Sequence, residues 1–158
     1  MEKIIVLGAP ADQGIPLVGA LKARGLAVTA GVRRQGAMAA TVHPEVPEVA
    51  ADIYDVESLT RAFAGHDALA MHLPFEFDRP RAAAMGRNIA EAARLAGLKK
   101  IVFNTSCFVA DRDLGLSAHD GRRDIESAIH ASGVPYVVIE PMVFMDNIIR
   151  IWSRPAIV

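Results

Sequence analysis

A short stretch of small residues, Gly8-Ala9-Pro10-Ala11-Asp12-Gln13-Gly14, follows an apolar run and leads straight into a helical one. A bend of that kind between a strand and a helix sets backbone N–H groups and the positive end of a helix beside an anion, above all a diphosphate. Gly8 and Gly14 occupy the outer positions of a Gly-x-x-Gly-x-x-Gly pattern, with Ala11 in the middle. Pro10 contributes no N–H but stiffens the bend. The Asp12 carboxylate suits such a place only as a helix cap. The next apolar run ends at Arg33 and Arg34, with no Asp or Glu at its tip. An acidic residue there would hold the ribose 2′-hydroxyl of NAD, whereas guanidinium groups suit the 2′-phosphate of NADP. These residues point to a dinucleotide, NADP(H) ahead of NAD(H). The competing reading is a tight turn and two solvated arginines.

Elements that would hold those residues in place alternate along the chain. Residues 3–7 form an almost unbroken apolar run, as a strand covered on both faces would. Residues 14–24 carry a helical rhythm stopped by Gly25, with Pro16 tolerated only in the first turn. Strands are expected at 27–33, 48–53, 67–73, 100–105 and 135–140. Helices are expected at 55–64 with Asp55 as cap, at 79–96 and at 118–131, where Ser117 or Asp120 could serve as cap. A weak Ala-rich stretch covers 35–40, and 142–152 reads as partly helical. The alanines of the 79–96 helix permit close approach to a sheet or to a second subunit. Strand–helix alternation of this type gives right-handed βαβ units and a doubly wound parallel sheet, α/β in class, with six strands in the order 3-2-1-4-5-6. The ligand crevice then lies at the carboxyl ends of the first and fourth strands. No linker or repeat interrupts residues 1–158, which read as one domain.

Composition narrows the function classes. The chain has 158 residues, 52% hydrophobic and 22% charged, with a net charge of −1. That is globular, and it offers no field for a nucleic-acid backbone or an anionic membrane. Apolar runs stop short of the roughly 18 residues a membrane span needs. The start lacks the flanks of a signal peptide, and a single cysteine, Cys107, excludes a disulfide framework. A cytoplasmic protein is expected. The five histidines are scattered, with no metal-ligand spacing, so no metal is expected. Cys107 shows no base partner in sequence and reads as an ordinary small residue; Asp111, Asp113 and Asp120 read as solvated loop carboxylates.

Around the glycine bend the sequence resembles the NmrA-like family of atypical short-chain dehydrogenase/reductases. Members usually carry Gly-Ala-Thr-Gly here; Pro10 stands in place of the Thr and Ala11 in place of the Gly. The likeness continues through Ser132-Gly133-Val134-Pro135-Tyr136 and Glu140-Pro141-Met142-Val143-Phe144, and spans nearly the whole chain. It implies an NAD(P)-binding Rossmann domain. It implies that Asp52 and Ile53 lie against the adenine and that His72, Leu73 and Pro74 run under the ribose. Asn104, Thr105 and Ser106 would then approach the nicotinamide, with Pro141, Val143 and Phe144 edging it. Several of these are equally ordinary strand ends, and strand-end hydroxyls often only satisfy backbone groups.

In short-chain reductases a Tyr-x-x-x-Lys pair on one helix face supplies the proton. The matching positions are His119 and Arg123, four residues apart and so on one helix face. A histidine can act as general acid near neutral pH, although His119 equally suits a structural or substrate-facing role; an arginine can hold ribose or phosphate. Family members normally continue into a substrate lobe, most of which is not expected here. Apolar Ile148, Ile149, Ile151 and Trp152 near such an edge would favour a homodimer or instability. The resemblance implies an NADP(H)-dependent oxidoreductase acting on a quinone or other small carbonyl compound. The alternative is a non-catalytic NAD(P)-sensing regulatory module, and a third reading is a scaffold whose altered bend binds no dinucleotide.

Overall fold

The computed structural model describes residues 1–142. Six strands form one sheet: β1 (Lys3–Leu7), β2 (Ala27–Val32), β3 (Glu48–Ala50), β4 (Ala68–His72), β5 (Lys100–Asn104) and β6 (Tyr136–Ile139). Every pairing is parallel, and the order is β3-β2-β1-β4-β5-β6, as the alternation of the sequence predicts. Four helices connect them: α1 (Gly14–Ala23), α2 (Val56–Phe63), α3 (Arg79–Leu95) and α4 (Ser117–Ala131). The chain leaves β1 toward β2 on one side and enters β4 on the other. The carboxyl ends of β1 and β4 therefore flank the point where the strand order reverses, the place for a ligand crevice in open α/β sheets.

The unbroken apolar run of β1 exists because both faces of the strand are covered. Ile5 and Leu7 point into a core shared with Leu69, Met71, Ile101 and Phe103 of the sheet and with Leu59, Phe63, Met85, Ile89, Ile125 and Ile129 of α2, α3 and α4. Ile4 and Val6 alternate to the other face, among Val18 of α1, Val28, Ala30, Val32 and Met38. A fully buried aliphatic or aromatic side chain contributes ~1.5–3 kcal/mol, so these two clusters hold the sheet between the helical layers. The alanines of α3 serve this packing: Ala82, Ala92 and Ala93 are buried in the first cluster.

Caps fix where helices begin. The Asp55 carboxylate accepts the N–H groups of Glu57 and Ser58, starting α2, while Asp78 accepts the Arg81 N–H and starts α3 beside Pro80. The weak 35–40 stretch is a series of turns, because Gly36 takes a φ of +84° and the chain folds back on Glu48. Other expectations are corrected. The third strand stops at Ala50 instead of Ile53, because Asp52 takes the Tyr54 N–H and turns the chain into α2. Neither Ser117 nor Asp120 caps α4. The cap position is Leu116, without a side-chain bond, and Asp120 lies inside the helix. Asp120 is also no solvated loop residue: it is 4% exposed and its carboxylate accepts the Leu114 N–H at 2.8 Å, tying down the loop ahead of the helix. Asp111 and Asp113 are exposed loop carboxylates as expected, with Asp113 also paired to Arg79 and Arg123. The expected 142–152 helix lies outside the described residues from 143 on.

Candidate functional site

The glycine bend leaves β1 at Gly8, whose φ of +85° a side chain would strain. A Cβ there would also stand 2.5 Å from His72 Cε1 and 2.8 Å from the His72 carbonyl oxygen, so bend and β4 end touch directly. At Gly14 a Cβ would stand 2.1 Å from the Gly8 carbonyl oxygen and 2.6 Å from that of Ala9. Glycine at both ends thus lets α1 start against the strand end. Inside the bend the Ala11 N–H donates to the Gly8 carbonyl at 3.0 Å, and the N–H groups of Gly14 and Ile15 donate to the Ala11 carbonyl. The Ala11 amide is therefore turned inward, while its methyl and Asp12 are exposed at the surface of the bend. Pro10 and Gln13 are half-buried.

Gln13 ties the bend to the far side of the crevice. Its side-chain amide donates to the Ser106 hydroxyl at 3.2 Å. Ser106 itself takes a φ of 63°, held there by its N–H donating to the Asn104 side-chain oxygen at 2.8 Å. Asn104 and Ser106 are thus brought to the bend. Thr105 is not: it is fully buried, its hydroxyl donating to the Cys107 carbonyl at 2.5 Å. His72 is half-buried against Gly8, and burial, then the charge of Arg122, holds its imidazole below the usual histidine value and so neutral. Leu73 is buried and Pro74 exposed behind it.

Arg33 and Arg34 are exposed directly after β2. What positions their loop is Glu48, whose carboxylate accepts the N–H groups of Gly36 and Met38 at 2.5 Å each, with the Met38 side chain buried beneath. Nothing in the sequence marks Glu48 for this; its role follows from the register that sets it beside Ala30 of β2. Asp52 sits in the turn at the end of β3, and the Ile53 carbonyl accepts from Asn88 at 3.3 Å. Pro141 is half-buried just after β6, while Val143 and Phe144 lie outside the described residues.

On α4 the two residues singled out from the sequence make separate contacts. His119 Nδ1 lies 3.8 Å from Cys107 Sγ, and its ring centroid 6.4 Å from that of Phe75. The thiol has an imidazole beside it after all, but burial pushes its pKa up, so no ready thiolate results. Arg123 binds Asp113 and lines a groove with Glu126, His130, Tyr136 and Glu140. The residue that shares Phe75 with His119 is Arg122, one position earlier: its guanidinium lies 4.5 Å from the Phe75 ring centre. Sequence reasoning passed over Arg122, although a spacing of three also places two residues on one helix face. Among the described residues no group of three or more His, Cys, Asp or Glu is arranged to hold a metal ion, and no helix is long and apolar enough to cross a membrane.

A doubly wound parallel sheet with a glycine bend opening on its switch point defines a dinucleotide-binding protein of the Rossmann type. Residues 8–150 match the model of the NAD(P)H-binding family, and the chain belongs to that family. No curated protein matches the chain. Among solved structures it is similar to the NADPH-dependent quinone oxidoreductase QOR2 of Escherichia coli complexed with NADPH, at 26% identity and a TM-score of 0.81, covering 97% of this chain and 53% of that one. It is also similar to the triphenylmethane reductase of Citrobacter sp., at 25% identity and a TM-score of 0.79, covering 91% of this chain and 50% of that one. A structure of the same Citrobacter reductase complexed with NADP(H) superposes at a TM-score of 0.81 and 24% identity, covering 98% of this chain and 54% of that one. The chain spans about half the length of these structures. They belong to the group to which the NmrA-like resemblance points.

Proposed function

We propose that this chain binds NADP(H) in preference to NAD(H) and serves an oxidoreductase acting on a quinone or other small carbonyl compound. The single observation that carries the cofactor preference is the tip of β2, where Arg33 and Arg34 stand exposed on a loop fixed by Glu48. Two guanidinium groups give a 2′-phosphate forked, charge-assisted hydrogen bonds, and the first residues beyond β2 offer no carboxylate to repel it. The bend fits the rest of the dinucleotide. Gly8 and Gly14 leave no side chain between strand end and helix start, and the start of α1 at Gly14 would bring a helix N-terminus to the diphosphate. Asp52 and Ile53 would flank the adenine. His72 to Pro74, with Asn104 and Ser106, would line the ribose and nicotinamide end. When bound, NADPH supplies a hydride; the chain's part is to orient it and exclude water.

The reductase reading draws on the quinone oxidoreductase and dye reductase among its structural neighbours. His119 is the residue of α4 nearest to a proton-donating role, since it faces the loop after β5 through Cys107. The test is thermal melting with NADPH and NADH at equal concentration, followed by NADPH oxidation over a panel of quinones. The expected result is a larger shift with NADPH and turnover that His119→Ala abolishes. NADPH binding without turnover on any acceptor would instead mark a sensing module, and equal shifts with both nucleotides would remove the role of the arginines.

A further inference from the structure

Arg122 is only 1% exposed, yet it makes no ion pair among the described residues. Its Nη2 donates to the Leu73 carbonyl at 2.5 Å, and that is its sole hydrogen bond among the described residues. Its Nε and Nη1 are buried with no partner. Phe75 lies over the guanidinium at 4.5 Å and Phe103 at 6.0 Å. Burial drags its pKa down to about 10, so it remains charged at neutral pH. Aromatic faces ease a buried cation but do not accept its N–H groups in the plane. A guanidinium with two unanswered buried donors is costly unless an acceptor, best a negative one, joins it.

The surroundings say what would join it. The loops after β4 and β5 leave Phe75, Phe77, Phe108 and Leu116 at least 42% exposed, at the carboxyl edge of the sheet where the crevice opens. Phe75 belongs both to that apolar rim and to the cover of Arg122, and turning its ring would connect the two. His72 and Cys107, the titratable groups electrostatically coupled to Arg122, bring no negative charge: the first is held neutral and the thiol is kept protonated.

We propose that Arg122 is the subsite for an anionic oxygen of a flat aromatic ligand, seated at the aromatic rim and reaching Nε and Nη1. This rests on the crevice reading above and names the class of molecule that crevice takes beside the dinucleotide: an aromatic compound carrying a phenolate, enolate or carboxylate oxygen. A neutral acceptor of the same shape would lack the charge-assisted pair.

The experiment is calorimetric titration of the full chain with 2-naphthoate and, separately, with 2-naphthamide, in wild type, Arg122→Met and Arg122→Lys. Expected is binding of the acid at least tenfold tighter than that of the amide in wild type. That preference should disappear in Arg122→Met and return in part in Arg122→Lys. Arg122→Met alone should melt no lower than wild type, since an apolar side chain of similar length replaces an unpaired buried charge. Equal binding of acid and amide, no binding of the acid, or an unchanged preference in Arg122→Met would overturn the proposal. A parallel NADPH titration of wild type keeps the two readings apart: NADPH bound without naphthoate refutes the Arg122 subsite alone, and no NADPH bound refutes the cofactor reading.

Discussion

Replacing Gly14 with alanine tests how tightly the bend and α1 are joined. The new methyl would stand 2.1 Å from the Gly8 carbonyl oxygen and 2.6 Å from that of Ala9, more than an ångström inside ordinary contact with the nearer atom. Both obstacles are backbone atoms, so no side-chain rotation relieves them. The first turn of α1 has to move away from the strand end, and with it the bend proposed to receive the diphosphate. Overpacking of this kind costs ~1–3 kcal/mol. For a chain of this size about 2 kcal/mol lowers the Tm by roughly 4–8 °C. Losing one charge-assisted hydrogen bond to the diphosphate, ~1.5–3 kcal/mol, weakens NADPH binding by about tenfold or more. Gly25→Ala is the control. Gly25 has a φ of +74° with nothing within 4 Å of a Cβ, so only backbone strain of about 1 kcal/mol is expected there, with NADPH binding intact. Melting curves and NADPH calorimetry on both variants provide the comparison. A Gly14→Ala protein that melts within a degree of wild type and binds NADPH equally well would refute the close-packed bend.

Three further outcomes follow from the same geometry. Glu48→Ala frees the Gly36 and Met38 amides and loosens the arginine loop, so NADPH affinity should fall about fivefold, ~1 kcal/mol, while NADH affinity stays level in competitive titration. His72 is held below its ordinary value of 6.5, so the unfolded chain takes up a proton that the folded one resists; stability is full above about pH 6.5 and falls as the pH drops below it. The fall in Tm between about pH 7.5 and 5.5 should therefore be smaller in His72→Gln than in wild type. Asp55→Ala removes the cap from Glu57 and Ser58 and should cost about 1 kcal/mol, read as a Tm lower by roughly 2–4 °C.

The strand order was legible because its cause is local. β-branched runs such as 3–7 and helix stops such as Gly25 recur with little interruption, and βαβ handedness leaves few topologies open. Asp55 announced its helix because an N-cap acts within three residues. Features that depend on how separate segments pack against one another were not legible. Glu48 reaches Gly36 only once β3 lies beside β2, and Asp120 turns from a loop carboxylate into a buried anchor only once residues 114 and 120 fold together. The same limit hid Arg122. Four-residue spacing singled out His119 with Arg123, but helix phase is decided by what α4 packs against, and that turns Arg122 toward Leu73 and leaves Arg123 to Asp113.

A crystal structure of the chain grown with NADP⁺ addresses the crevice most directly. The diphosphate is expected within hydrogen-bonding distance of the main chain between Gly8 and Gly14, with the 2′-phosphate against Arg33 or Arg34. Nucleotide density elsewhere on the molecule, or a 2′-phosphate with both guanidinium groups turned away, would contradict that placement.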